Sequence, residues 1–403
     1  MLNLSEACKG LYMVTEPFRY HFVLLSWEWA LYFLLRTLSE RPDLAVRVSE
    51  VEISSVNRVP PTALCELNSI CGSPTWQYSV APNRPADLIL VLLQLVPKLE
   101  RLHFPVHGIG LFGNLSQSSL LTSSSTSIKT LAFSGSDHEY LLDQAVPVMQ
   151  RTPNLEVLLC YRHARVTGLF AASLACRTPA EPFPLHNLTE LALVDTSITE
   201  PSFCSLLSAV GSRLLRVNIR RTARMPSLDD EHRVVGFDDV LAALQPWRRT
   251  LKELSFTMHG LDRMALSQGS HRLRGVRLLR EFRSLEVLWA QAAFFDFLGH
   301  LRPREDALKS TLPTSIRELR LFGHGNFAPA LQGLLGTVMS GQFADLRTVE
   351  IDDQGPEGYE PDGEEAQNLR DVGASFRSAG VTFTVHPQPE EFQVPVEPEV
   401  VET

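Results

Sequence analysis

A short apolar pattern that recurs along the chain constrains the fold more than any other feature of the sequence. It reads apolar, two mostly polar residues, apolar, one residue, apolar, and ten copies of it follow one another. In an extended strand, residues two apart point to the same side, so each copy predicts a strand with one buried face. The ten copies are Val48/Val51/Ile53, Leu99/Leu102/Phe104, Ile128/Leu131/Phe133, Leu155/Leu158/Cys160, Leu188/Leu191/Leu193, Leu214/Val217/Ile219, Leu251/Leu254/Phe256, Leu285/Leu288/Ala290, Ile316/Leu319/Leu321 and Leu346/Val349/Ile351.

The spacing of these copies carries more weight than their number. In a chain with this many apolar residues, chance alone would give on the order of ten matches. After the first interval, which is longer, successive copies begin roughly 26 to 37 residues apart, whereas random matches would cluster and overlap. These intervals are near the repeat lengths of leucine-rich repeats. The spacing therefore predicts stacked repeats that share one continuous core.

A helical apolar pattern that ends in a short turn precedes many of the strands. Proline suits this turn because it cannot continue a helix. We therefore predict an α/β fold, an irregular leucine-rich-repeat solenoid or horseshoe with parallel strands on its concave face and helices on its convex face. The segments with a turn proline are Leu31–Leu38 before Pro42, Leu88–Leu95 before Pro97 and Leu141–Met149 before Pro153. Two later segments keep the order without the proline: Val240–Leu244 and Leu278–Phe282.

The composition restricts the class of protein and of partner. Of the 403 residues, 44% are apolar and 21% are charged, which is ordinary for a folded soluble chain. The net charge of -9 and the absence of Lys/Arg runs disfavour a nucleic-acid partner. The six cysteines lack CxxC pairs and are interpreted as packing residues in a reducing compartment.

The N-terminal apolar stretch Phe22–Leu35 is interrupted by Glu28 and is too short to cross a bilayer of ~30 Å. We expect it to form an amphipathic helix. Because no secretory signal precedes it, we expect a cytoplasmic or nuclear protein without a membrane association. The sequons at Asn114 and Asn187 are then expected to remain unmodified.

The first residues of the chain resemble the last third of an F-box, as found in fungal F-box and leucine-rich-repeat proteins. The following stretch, Leu34–Ile53, is similar to the first repeat after the F-box in that family. Beyond Ile53 the resemblance is one of general pattern, as in Leu312–Leu321. The residues that carry the F-box resemblance are Leu4, Ser5, Cys8, Lys9, Leu11, Pro17 and Tyr20.

The resemblance implies a substrate receptor of a cullin-RING ubiquitin ligase, in which the F-box holds a Skp-type adaptor and the repeats hold the substrate. The family's leading F-box segment has no counterpart here, because Met1 aligns inside the last third. Two explanations stay open: a truncated coding sequence, or a surviving fragment that caps the first repeat. The alternative function is a scaffold or interaction protein that is independent of ubiquitin.

Three segments follow from these predictions. Residues 1–23 are expected to form the partial F-box-like helix or N-terminal cap, and residues 24–386 the repeat solenoid, whose C-terminal end could be closed by a terminal strand with Val381, Phe383 and Val385. Residues 387–403 read as a disordered acidic tail, and Asp352–Glu365 as an acidic surface loop.

Motifs for catalysis or cofactor binding are weak in this sequence. Gly108–Gly113 matches G-x-G-x-x-G, but the Ser/Thr-rich stretch after it does not predict the helix that a dinucleotide needs, so a loop is favoured. Asp229–His232 is interpreted as a solvated charge run and Cys65 with Cys71 as packing cysteines. No nucleophile elbow, zinc-protease helix or P-loop occurs. We therefore expect no enzyme, no cofactor and no metal.

The residues between the buried positions of each strand would face outward on the concave side and are the candidates for partner binding. Val157, Leu159 and Tyr161 occupy successive outward positions of one strand, and Trp289 lies beside Val287 in another. Apolar clusters at such positions commonly anchor partners. The alternatives are a covering loop or a register shifted by one residue, which would exchange buried and exposed sets.

A group of arginines offers a second candidate for binding. Arg216, Arg220, Arg221 and Arg224 could hold an acidic or phosphorylated peptide, because guanidinium groups match the oxygens of phosphate. An ordinary solvated strand edge is the favoured interpretation.

Overall fold

A computed structural model describes the fold of this chain over part of its length. The described ranges are 20–26, 30–54, 85–106, 127–135, 140–150, 152–161, 164–166, 185–198, 200–222, 236–259, 276–295, 305–323, 327–352 and 363–386. The chain divides into two compact units, Met1–Val235 and Gly236–Thr403, and each is treated by itself. None of the described helices is long and apolar enough to cross a membrane.

The described part of the first unit contains two parallel sheets. Its strands are β1 (Phe22–Leu25), β2 (Glu50–Ile53), β3 (Arg101–Val106), β4 (Thr130–Gly135), β5 (Tyr140–Leu141), β6 (Val157–Tyr161), β7 (Ala164–Val166), β8 (Glu190–Val194), β9 (Ser197–Ile198) and β10 (Arg216–Thr222). In the first sheet β1, β2, β3, β4, β6, β8 and β10 follow one another. The short strands β5, β7 and β9 form the second sheet.

Helical segments lie between these strands. The helices α1 (Ala30–Glu40) and α3 (Pro85–Leu95) pack against each other. This packing is expected for repeats whose apolar helical faces are stacked. The segments are α1 (Ala30–Glu40), α2 (Pro42–Ala45), α3 (Pro85–Leu95), a 3-10 helix (Leu142–Ala145), α4 (Val146–Met149) and α5 (Glu200–Ser208).

The second unit repeats the order of helix, turn and strand throughout its described residues. Its strands are all parallel and follow one another as β11 (Glu253–His259), β12 (Val287–Gln291), β13 (Glu318–Phe322), β14 (Thr348–Asp352) and β15 (Thr382–His386). The helices before these strands are α6 (Phe237–Ala243) with a 3-10 helix (Gln245–Trp247), a 3-10 helix (Val276–Glu281), α7 (Ala307–Thr311), α8 (Ala328–Met339) and α9 (Gly363–Ser378), and a further 3-10 helix (Ala292–Phe295) follows β12.

Backbone hydrogen bonds connect the turns before successive strands in a repeating way. The carbonyl of Ser49 accepts the N–H groups of Glu100 at 2.8 Å and Arg101 at 3.0 Å, so two amides of one repeat share one carbonyl of the previous repeat. Neighbouring strands therefore start in the same register, and equivalent side chains align in columns. The same arrangement is found at the carbonyls of Glu100, Lys129, Glu156, Thr189, Lys252, Glu286 and Arg317.

The core consists of the residues that the repeating pattern predicts. Every residue of the ten predicted triplets is at most 2% exposed. Aromatic contacts add to it, as between Phe104 and Phe133, whose ring centroids are 5.0 Å apart with perpendicular planes. The α/β class, the parallel pairing and the strand register are confirmed, and each unit has a solenoid-like arrangement.

Two details of the predicted secondary structure are wrong. Phe22–Leu25, expected within an amphipathic helix, is the strand β1, because its backbone pairs with β2, and the helix that follows begins at Ala30. The α9 helix begins at Gly363, inside the expected acidic loop; residues 353–362 lie outside the described ranges.

Candidate interaction surface

The interior strand β6 of the first unit presents the three apolar residues that the sequence singles out. Leu158 and Cys160 are fully buried, whereas Val157, Leu159 and Tyr161 are half-buried on the opposite side. This alternation is the predicted one for this strand. We call Val157, Leu159 and Tyr161 the apolar ridge.

Leu159 of this ridge lies between two small residues of the neighbouring strands. It lies in register between Ala132 of β4 and Ala192 of β8. The two alanines are only 7% and 5% exposed, because larger side chains flank them. Since an alanine side chain ends at Cβ, the Leu159 side chain reaches further from the backbone than either of these neighbours.

Tyr161 adds a polar group at one end of the ridge. Burial, helped by the Glu190 carboxylate and by Cys160, raises the pKa of Tyr161, so its hydroxyl stays protonated and can both donate and accept hydrogen bonds. Its ring lies 6.3 Å from the ring of His103 on β3.

His103 is held between two polar partners. Its Nε2 lies 3.2 Å from the Ser134 hydroxyl and its Nδ1 lies 3.6 Å from Glu52. Burial lowers the pKa of His103 below its ordinary value of 6.5, and Glu52 opposes this effect only in part. The imidazole is therefore neutral at neutral pH, so the ridge has no cation at this end.

Ion pairs between neighbouring strands border the ridge. Glu50 of β2 pairs with Arg101 of β3 at 3.2 Å, and Glu190 of β8 pairs with Arg216 of β10 at 2.9 Å. Arg216, one of the predicted anion-binding residues, thus has a carboxylate partner within the sheet.

The structure brings together only part of the predicted arginine group. Arg220 is exposed and lies in register with Val194, on the same side of β10 as Arg216. The Arg221 side chain and the whole of Arg224 lie outside the described residues.

Trp289, the fourth predicted anchor, belongs to the second unit and has partners there. It is half-buried, and its indole N–H donates a hydrogen bond of 3.0 Å to Oε1 of Glu318 on β13. The guanidinium carbon of Arg320 lies 5.1 Å from the centroid of its ring. Trp289 is thus an aromatic surface already contacted by a cation.

Arg320 of β13 also contacts an aromatic ring of its own strand and two carboxylates of β14. Its guanidinium also lies over Phe322, 5.2 Å from the ring centroid, and its Nε and Nη2 lie 2.9 and 2.8 Å from Oδ2 of Asp352. Its Nη1 is 3.5 Å from Glu350. We call Trp289, Glu318, Arg320, Phe322, Glu350 and Asp352 the Trp289 cluster.

Sequence reasoning did not single out this cluster. The available signal was the segment Glu318–Phe322, whose outward residues are an acid, a base and an aromatic ring. Recognising it requires knowing that Arg320 lies in register with both Trp289 and Glu350.

Several predicted features lie outside the described residues. Of the F-box-like residues only Tyr20 is described; it is half-buried just before β1. Within the described ranges no group of three or more His, Cys, Asp or Glu residues could hold a metal ion. The features outside are Leu4, Cys8, Leu11, Pro17, Gly108–Gly113, Asp229–His232, Cys65, Cys71 and residues 387–403.

Comparison with known proteins adds no assignment. Neither the protein-family models nor the curated proteins include one that matches this chain.

Proposed function

We propose that this chain is a non-catalytic, leucine-rich-repeat protein-binding module that holds its partner on the outward face of the sheet in its first unit. The observation that carries this proposal is the apolar ridge of Val157, Leu159 and Tyr161, three half-buried side chains at positions that usually hold solvated groups. Ion pairs on both sides give this surface a polar border. An apolar centre with a polar rim is typical of protein interfaces.

We further propose that the module is the substrate-recognition subunit of a cullin-RING ubiquitin ligase. The support is the resemblance of the N-terminal residues, including Tyr20, to an F-box, and of Leu34–Ile53 to the first repeat that follows the F-box in that family. On this proposal the adaptor contacts the N-terminal segment and the substrate contacts the apolar ridge, so the two binding events use different surfaces.

The ridge is tested by the double substitution Val157→Thr and Leu159→Gln, which keeps the approximate size of both side chains and removes their apolar character. Asn218→Gln, at an exposed outward position of β10, is the matched control. Proteins retained from an extract of the source cells are quantified, and each candidate is then tested again as a purified protein. We expect one partner whose affinity falls by about tenfold or more in the double variant and stays unchanged in the control.

If both variants retain every partner with unchanged affinity, the ridge is not the binding surface. The thermal unfolding of both variants must match the parent chain for this comparison to count.

The ligase assignment has its own test. A purified Skp-type adaptor is titrated into this chain, and into the chain extended by any in-frame upstream coding sequence. Binding in either form supports the receptor role. Absence of binding in both, together with partners whose abundance does not change when the gene is deleted, would instead support the ubiquitin-independent scaffold.

A further inference from the structure

The outward face of the sheet in the second unit carries more negative charge than its own cations compensate. By contrast, the outward carboxylates Glu50 and Glu190 of the first unit pair with the guanidinium groups of Arg101 and Arg216, and Glu52 lies against the neutral imidazole of His103. Among the described residues of the second unit, the outward strand positions hold four carboxylates and one guanidinium. These charged residues are Glu253, Glu318, Glu350, Asp352 and Arg320. A histidine, His386, also lies on this face, with its Nε2 3.5 Å from the Glu350 carboxylate.

Arg320 shows how this face holds a guanidinium group. The group lies 5.1 and 5.2 Å from the ring centroids of Trp289 and Phe322, and 2.8 Å separates its Nη2 from the Asp352 carboxylate. Only 28% of the Arg320 side chain is exposed. Aromatic rings attract a cation most strongly where water is partly excluded, and carboxylates match its hydrogen-bond donors.

Two carboxylates beside Trp289 remain for another cation. Glu253 of β11 and Glu318 of β13 lie in register on either side of Val287, which precedes Trp289 on β12 by two residues. Adjacent strands are about 4.8 Å apart, so the two carboxylates border a strip of roughly 10 Å with an apolar centre. Glu318 uses Oε1 for the indole N–H of Trp289, and its charge remains uncompensated by any ion pair among the described residues.

We propose that the outward face of β11, β12 and β13 binds an arginine-containing basic segment of a protein partner. The guanidinium groups of that segment would lie between Glu253 and Glu318 and contact the part of the Trp289 side chain that stays exposed beside Arg320. Charge complementarity favours this occupant, because an acidic segment would meet four carboxylates. The inference goes beyond the proposed function, since it concerns the second unit and does not depend on the apolar ridge.

The test is a titration of the full chain with a fluorescein-labelled hexa-arginine peptide, read as fluorescence anisotropy, with a hexa-glutamate peptide as the charge-reversed probe. The first variant combines Glu253→Gln and Glu318→Gln, which preserve size and leave an amide oxygen to accept the indole N–H. The second variant is Trp289→Leu, which leaves every charge in place. The matched control combines Asp345→Asn and Glu364→Gln, two exposed carboxylates outside the strands of this face, and removes the same charge.

We expect the first variant to weaken hexa-arginine binding by about fivefold or more and Trp289→Leu by about threefold, with the control within about twofold of the parent chain. Equal losses in the first variant and the control would overturn the proposal, because net charge alone would then explain binding. Unchanged affinity in both the first variant and Trp289→Leu would also overturn it. The ridge variants can retain every partner without any effect on the result of this titration. The two proposals can therefore be contradicted independently of each other.

Discussion

At the scale of single residues, one glycine permits the close packing of two helical segments in the second unit. Gly333 of α8 lies against the backbone carbonyl of Glu305, in the turn before α7, and a Cβ at this position would overlap that oxygen. Gly336, three residues later on the same helix, has nothing within 4 Å of such an atom. Only the first glycine is required by a close approach.

Gly333→Ala is therefore expected to lower the free energy of unfolding by about 1 to 3 kcal/mol, because helix α8 must move away from a backbone atom that cannot yield. Gly336→Ala is expected to raise it by up to about 1 kcal/mol, since alanine is the better helix former in an open position. Urea-induced unfolding of both variants and the parent chain measures the difference. Equal effects of the two substitutions would show that the packing at Glu305 does not require glycine.

The two described cysteines differ in environment, although the sequence suggested that all six are packing residues. Cys160 is buried in the core of β6, and Cys204 on α5 is exposed, so that interpretation is wrong for Cys204. Burial strongly raises the pKa of the Cys160 thiol, which keeps it protonated and unreactive.

Brief treatment of the folded chain with iodoacetamide at about pH 8 is expected to modify Cys204 and to leave Cys160 unmodified, because the reagent needs an accessible thiolate. Peptide mass spectrometry gives the modified fraction at each site. In urea both cysteines should react. Modification of Cys160 in the folded chain at the rate of Cys204 would contradict its burial.

At the scale of secondary-structure elements, His103 of β3 lies between Glu52 of β2 and Ser134 of β4. Its titration makes the stability of the first unit depend on pH. The pKa of His103 is lowered below 6.5 by burial. As the pH falls below that ordinary value, the unfolded chain takes up a proton that the folded chain does not yet bind. The folded state therefore loses stability as the pH falls. Above about pH 7 His103 is neutral in both the folded and the unfolded chain, so it no longer lowers the free energy of unfolding.

His103→Gln is expected to reduce the fall in melting temperature between about pH 7.5 and about pH 5.5, because glutamine does not titrate. Glu52→Gln is expected to enlarge it, since the Glu52 carboxylate opposes the lowering of the His103 pKa. Melting curves of the three proteins at both values of pH provide the measurement. Changes of the same sign in the two variants would contradict the assigned causes.

The elements also show what the sequence could and could not predict. The buried triplets were predictable because their spacing repeats and their burial is nearly complete. Phe22–Leu25 was misassigned because a short apolar run has no period that separates a strand from a helix, and its state is decided by pairing with β2. The outward position of the apolar ridge followed from strand alternation alone.

The environment of Trp289 was beyond prediction for a different reason. Its contacts with Glu318 and Arg320 join positions about one repeat apart in sequence, so they depend on the length of the intervening loop and on the register of two strands. Repeat lengths in this chain vary, and no local pattern reveals which outward side chains meet. The same residue therefore appeared as a free anchor in the sequence and as part of a cluster in the structure.

At the scale of the whole molecule, each unit is built from repeats that contact mainly their neighbours in sequence. Stability in such an array is a sum of repeat terms and nearest-neighbour terms, so a strand with one paired neighbour is held less firmly than a strand with two. In the described residues β1 pairs with β2 and β15 pairs with β14, and both strands end the order of their sheets. Their exposed apolar residues, Phe22, Leu24 and Val385, fit this position.

Backbone amides of β1 and β15 are therefore expected to exchange with deuterium about tenfold or more faster than those of β4 and β13, which are paired on both sides. Exchange followed by peptide mass spectrometry under native conditions measures the four segments in one experiment, and the two comparisons are made separately within each unit. Because exchange from an interior strand requires both neighbouring ladders to open, the difference should persist when temperature changes. Equal protection of β1 and β4, or of β15 and β13, would mean that the strand at the end of that sheet has a second partner in solution.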